Sequence, residues 1–385
     1  MSLDPDRYRL PEAVHQAIFQ KRIAPHLFAD AKPAPERPVA VIFGGQPGAG
    51  KSASVDFALR QLAERGGAAQ IIGDDLRSYH PQYARLLARD DKTAAFYTDR
   101  DTGRWVEMAI DRAKANRLNI VIEGTMRDPS TVAKTMLNLR GAGYLIDARI
   151  LAVNERLSWQ GVLQRYENQK ADRGYGRMTA PHSHRDAYNG IPATLDRIES
   201  ERLADRVSLY RRGAVELYAN ELQRGEWAKP PGARAALEAE RSRPLTLHER
   251  HEYAVAFDKL LDLMARPERN STAAEIDAMQ QLREKAHMSL KAAMLRELPE
   301  PEALRRHPDL APTYQILQHA RAKAELDGLP PNAQTAVVDK LRNELADRLE
   351  VGVRMQIKAP ERRPDSLEVA KPEHRPRQPN QDLER

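Results

Sequence analysis

The octapeptide Gly45-Gln46-Pro47-Gly48-Ala49-Gly50-Lys51-Ser52 has the spacing Gly-x4-Gly-Lys-Ser. Glycines at these places let backbone N–H groups face phosphate oxygens, and a helix beginning there adds favourable electrostatics. Lys51 would reach the β- and γ-phosphates of ATP, and Ser52 would hold Mg²⁺. The pattern is specific when it follows a buried strand and opens a helix. Residues 39–43 are a short apolar run and residues 51–64 have helical spacing, so both conditions are met. The loop implies an ATP-using phosphotransferase. Alone it does not separate kinases from GTPases or motor ATPases.

Ligands of open α/β sheets bind at the carboxyl ends of the strands. A second strand ends in Gly73-Asp74-Asp75, beside the mouth of the P-loop strand. A kinase needs a group there to orient or deprotonate its acceptor hydroxyl. Asp74 or Asp75 can serve, and a pair of helix-capping carboxylates is the plainer alternative. A third strand ends in Glu123-Gly124-Thr125, with Arg127 two residues on; Glu123 can meet Mg²⁺ through water or bind the acceptor. Phosphoryl transfer also calls for positive charge over the γ-phosphate. Arg165 lies on an expected helix and Arg177 in a lid-like stretch, Gly174 to Pro181; by residue type alone each reads more readily as a solvated surface charge than as a functional group. His182-Ser-His184 lacks the spacing of a helix-borne zinc pair, so no metal is expected there.

Strands at 39–43, 68–73, 118–122 and 144–153 alternate with helices at 51–64, 103–117 and from Pro129 to about Gly141. Continuous apolar strands between helices imply a parallel sheet covered on both faces. Residues 1–30 read as helical. Lys229-Pro230-Pro231-Gly232 reads as a break. It closes a kinase-like domain at 1–228, followed by a helical accessory region at 233–355 and a disordered Pro/Arg-rich tail at 358–385. The helical region suits an oligomerisation module, a cis-acting inhibitory bundle over the nucleotide site, or a delivery segment.

The net charge of +6 is spread thinly, without the clustered basic stripe of a nucleic-acid binder, so no nucleic-acid partner is expected. With no cysteine, disulfides and thiolate sites are excluded. No signal-peptide pattern opens the chain and no apolar run could span a bilayer, so a cytoplasmic protein without membrane contact is expected.

Taken together, these motifs resemble the zeta toxins, the UDP-N-acetylglucosamine kinases of bacterial toxin–antitoxin systems. The resemblance rests on Gly44 to Ser52, Asp74 to Pro81, Val121 to Arg127, Thr135 to Leu137, Arg165 to Glu167, and Val207 to Tyr218 as the closing strands. It covers about residues 35–225. It implies Asp74 as the base that takes the proton of the sugar's 3′-hydroxyl. It also implies Glu107, Glu123, Thr125, Arg127 and Thr135 as substrate-binding residues, with Arg165 and Arg177 on the γ-phosphate. The spacing near Arg177 differs by a residue. The implied partners are a nucleotide sugar and an antitoxin protein, or helices acting as one in cis. Another nucleotide or a dinucleotide as acceptor, or a module that senses nucleotide without transfer, remains the alternative.

Overall fold

The computed structural model describes residues 4–353, so the expected tail at 358–385 lies outside the described residues. The apolar runs become strands. These are β1 (Val39–Gly44), β2 (Ala69–Ile72), β3 (Ile120–Glu123), β4 (Leu145–Leu151), β5 (Arg206–Arg211), β6 (Val215–Gln223) and β7 (Glu226–Trp227). They form one sheet in the order β2-β3-β1-β4-β5-β6-β7. Pairing is parallel through β5, and β6 and β7 return antiparallel. β1 is buried throughout, as a central parallel strand must be. Its side chains alternate: Val39, Val41 and Phe43 join Val55, Ala58 and Leu62 on one face, while Ala40 and Ile42 join Trp105, Met136 and Tyr144 on the other.

The helices then cover the sheet. Before it come α1 (Glu12–Ile18) and α2 (Ala24–Leu27), joined by a π-helical turn. Next are α3 (Ser52–Leu62), the short α4 (Gly73–Leu76) and α5 (Tyr83–Arg89), α6 (Ala94–Ala115), α7 (Pro129–Gly141), α8 (Glu155–Arg173) and α9 (Pro181–Ser200). α7 starts on its proline, with Asp128 accepting from the backbone N–H groups of Ser130 and Thr131. α6 begins nine residues earlier than the pattern from 103 suggests. Its first turns carry buried Thr98, Asp101 and Thr102, which read as polar in sequence.

Residues 229–232 do not open a separate body. They lead into α10 (Ala233–Ser242), whose Ala233 and Leu237 are buried in the core of the sheet. The Glu199 carboxylate accepts the N–H groups of Gly232 and Ala233 at 3.2 and 3.0 Å and so caps this helix. α11 (Leu247–Met264) follows, opened by a Thr246–Glu249 capping box, then α12 (Ala273–Glu297). The first compact unit runs to Leu290. From Lys291 a second unit contains α13 (Glu300–Arg306), α14 (Ala311–Leu326) and α15 (Pro331–Glu350). Within it α14 and α15 pack together, burying Tyr314, Leu317, Leu345 and Leu349.

Strand register positions the site. Phe43 of β1 and Ile72 of β2 both lie opposite Glu123 of β3. The three chains therefore leave the sheet at one level, and the P-loop, Asp74 and Glu123 arrive at the same edge.

Candidate active site

The phosphate loop links β1 to α3, as its motif requires. Gly48 has φ 76°, and a Cβ there would come within 2.0 Å of the Ser158 carbonyl oxygen, so the loop can pack on α8 only with glycine at this place. Lys51 is buried and turns along the loop: its Nζ donates to the Gly45 carbonyl at 2.9 Å and lies 3.5 Å from the Glu123 carboxylate. Burial lowers the Lys51 pKa, and Glu123 and Asp74 oppose that shift and favour the charged amine. Ser52 is the first residue of α3 and is exposed.

Side chains from far along the sequence hold the loop from behind. Gln46 is fully buried; its Nε2 donates to the Val153 carbonyl at 2.8 Å and to Ser158 Oγ at 3.1 Å. Ser158 Oγ in turn lies 2.9 Å from His184 Nε2. Arg212, just past β5, donates to the Gly48 carbonyl at 2.6 Å and the Ala49 carbonyl at 3.3 Å. These contacts tie the loop's carbonyls down from behind, and the Ala49 N–H closes a turn on the Gln46 carbonyl at 3.1 Å; a loop held in this way can present N–H groups to a phosphate in front.

Asp74 stands in the first turn of α4 and faces the loop. Arg77 Nε reaches its Oδ1 at 3.1 Å, and Arg177 Nη2 reaches its Oδ2 at 2.9 Å. Burial alone would raise the Asp74 pKa. Arg177, Arg77 and Arg165 outweigh it and hold the carboxyl below its ordinary value. Arg77 is itself buried and fixed by the Ala95 carbonyl at 2.7 Å and by Asp99 at 2.6 Å. Asp75 differs: burial raises its pKa, and it lines a separate surface cavity with Ile23, Leu27 and Tyr79. Arg165 extends from α8 and donates to Thr179 Oγ1 at 2.8 Å, leaving its buried Nε without a partner. Burial and the neighbouring Arg177 both lower its pKa. Guanidiniums in such a place are groups suited to binding phosphate oxygens.

The lid-like stretch expected at 174–181 is the loop between α8 and α9, pinned by Gln169, which accepts from the Arg177 N–H at 2.8 Å. Thr125 is half-buried at the end of β3. Met126 next to it takes φ 51°, held by Thr194 Oγ1 donating to its carbonyl at 2.7 Å. Arg127 is exposed, and Thr135 donates to the Thr131 carbonyl of its own helix at 2.9 Å. Glu107 is exposed on α6, next to Val106, which packs near Gly73. Thus Lys51, Asp74, Glu123, Arg165 and Arg177 come together, whereas Glu107, Arg127 and Thr135 stand outside that network. His80 is structural: buried, 3.4 Å from Asp101 and bonded to the Tyr8 carbonyl. His182 is exposed while His184 is buried, and no cluster of three metal-ligating side chains occurs among the described residues.

Two arginines of the site carry little signal in the sequence. Arg77, which holds Asp74, has only its i+3 spacing from that residue. Nothing marks Arg212, which holds the loop, among 61 basic residues.

The zeta toxin family pattern matches residues 25–223, more than half of the chain. The chain belongs to the zeta toxin family. Toxin zeta of Enterococcus hirae is 30% identical over 210 residues, covering 54% of this chain and 73% of that protein. Toxin PezT of Streptococcus pneumoniae is 28% identical over 211 residues, covering 51% of this chain and 83% of that protein. A solved structure from the PezAT chromosomal toxin–antitoxin system of S. pneumoniae aligns with a TM-score of 0.57 at 23% identity, over 67% of this chain and all of that one. The zeta toxin core is a kinase-like phosphotransferase core, and every residue of the Lys51–Asp74–Arg177 network lies inside the matched stretch. Among the described residues no helix is long and apolar enough to cross a membrane.

Proposed function

We propose that this chain transfers the γ-phosphoryl group of ATP to the 3′-hydroxyl of UDP-N-acetylglucosamine. The observation that carries the reading is a carboxylate at the mouth of the phosphate loop, Asp74, kept ionised by Arg77 and Arg177 and placed opposite Lys51. A module that only senses nucleotide has no use for such a group.

In this reading the loop N–H groups and Lys51 hold the β- and γ-phosphates. Asp74 orients the acceptor hydroxyl and takes its proton as the oxygen bonds to the γ-phosphorus. The bond to the β–γ bridging oxygen breaks, and ADP leaves with that oxygen. Arg165 and Arg177 neutralise the charge on the equatorial oxygens. Mg²⁺ would be held by Ser52, with Glu123 at the same sheet edge, and would screen the β- and γ-phosphate charge. The acceptor's identity rests on kinship with zeta toxins. Phosphorylating that precursor would starve cell-wall synthesis, and an antitoxin protein is the corresponding partner.

The test is incubation with ATP–Mg²⁺ and a panel of nucleotide sugars, nucleotides and dinucleotides, read by phosphorus NMR and mass. A 3′-phosphorylated nucleotide sugar is expected. Phosphate appearing only on another acceptor would overturn the substrate, and ATP binding without any transfer would favour a sensor.

A further inference from the structure

Arg241 lies on α10, beyond the stretch matched by the zeta toxin pattern, yet it reaches the phosphate loop. Its Nη2 donates to Gln46 Oε1 at 3.1 Å, and its Nη1 donates to the Tyr188 carbonyl at 2.8 Å. The guanidinium lies 3.9 Å from the centre of the Tyr188 ring, and its Nε has no hydrogen-bond partner. The residue is 6% exposed. No carboxylate forms an ion pair with it among the described residues; Glu238 and Glu155 act on it only from longer range.

Burying a guanidinium without a paired carboxylate is costly, and the stacked ring offsets only part of that cost. A purely structural anchor for Gln46 would not need a full charge, since a neutral amide can donate the same hydrogen bond. The position of the charge supplies a reason for it. Gln46 is a member of the phosphate loop, and its own carbonyl lies 3.4 Å from Lys51 Nζ. Arg241 therefore places a positive charge one side chain behind the loop. In a low-dielectric surrounding, a charge not neutralised by protein is available to an anion on the other side.

We propose that Arg241 is a positioning residue of the nucleotide site, which fixes the loop through Gln46 and lends its unneutralised charge to the bound triphosphate. This rests on the reading that the loop binds nucleotide phosphates. It assigns α10, a helix outside the family pattern, to the nucleotide site of this chain.

Arg241→Gln keeps a donor toward Gln46 and removes the charge. In the full chain, the Kd for ATP should rise about tenfold, as expected for losing a charge-assisted interaction, while kcat changes less than about threefold. Without nucleotide its melting temperature should stay within a few degrees of the parent, and the rise in melting temperature caused by ATP should shrink. Arg241→Lys, which restores charge, should bind ATP within about threefold of the parent. An Arg241→Gln protein with unchanged Kd overturns the inference. So does an Arg241→Lys protein that melts normally but loses tenfold in affinity; this variant decides the matter if the Gln protein does not fold. Lys51→Ala is measured in parallel. If it also binds ATP normally, the loop is not the nucleotide site and the proposed function falls too. If only Lys51→Ala weakens binding, the role of Arg241 alone is refuted.

Discussion

Arg177 meets Asp74 at 2.9 Å, joining the loop before α9 to the first turn of α4. The residue assigned to the γ-phosphate and the residue assigned to the acceptor proton are thus electrostatically linked. Arg77 completes the arrangement from the other carboxylate oxygen, so the orientation of Asp74 is fixed from two sides.

Asp74→Asn keeps the shape of the side chain and removes its basicity. Transfer should fall by about two to four orders of magnitude, the usual worth of a positioned general base. ATP affinity, measured by calorimetry, should stay within a few fold, because Lys51 and the loop amides are untouched. Transfer at the parental rate would remove Asp74 from the mechanism.

The two arginines proposed for the γ-phosphate should separate by pH profile. Either change to alanine should lower kcat by about two to four orders of magnitude. Arg177 is also the first of the arginines that hold the Asp74 pKa down, ahead of Arg77 and Arg165. In the parent, an acid limb due to Asp74 lies below the ordinary carboxylate value of 3.8, so none should appear between about pH 5 and 8. Arg177→Ala should move that limb upward by more than Arg165→Ala does. Equal shifts would show that the ion pair does not set the basicity of Asp74.

Acid stability follows from a different place. Hydrogen bonds from Arg243, together with the Thr246 N–H, lower the Glu249 pKa to about 2 against burial. A carboxyl depressed on folding contributes stability that is complete above its unfolded value and is lost as pH falls through its folded value. For Glu249 that window runs from 4.5 down to about 2. The melting temperature should decline across it, and Glu249→Gln should flatten part of the decline.

The parts legible in sequence were those with a local cause. The P-loop, the strand at 39–43 and the start of α7 at Pro129 each follow from residues a few places apart. A carboxylate at the end of β2 is legible because a strand end is a definite place in an open sheet; that argument leaves Asp74 and Asp75 equal, and only the resemblance to zeta toxins singles out Asp74. The early start of α6 was not legible, since Thr98, Asp101 and Thr102 are polar residues buried by tertiary partners: Asp101 accepts the Leu10 N–H, 91 residues away. Glu107 follows from kinship alone: it is a polar residue on the exposed side of α6, where no local pattern marks a role. The break at 229–232 looked like a linker because prolines and glycine also precede helices. What decides it is Glu199, 34 residues before Ala233.

Arg269 and Glu167 form a buried pair, Nε to Oε2 at 2.7 Å and Nη2 to Oε1 at 3.0 Å, with both side chains about 5% exposed or less. The pair joins the segment before α12 to α8, two residues beyond Arg165. Removing one partner leaves the other charge buried and alone, which costs about 3–5 kcal/mol. Arg269→Met should therefore lower the melting temperature by several degrees, and adding Glu167→Gln should recover much of the loss, because the stranded charge is then gone. The recovered double variant isolates geometry from stability. If this pair also sets the pitch of α8, its kcat should remain below the parent while its ATP affinity is normal. A double variant with parental kcat would make the pair a matter of stability alone, and the placement of Arg165 would then depend on Thr179 and the packing of α8 itself.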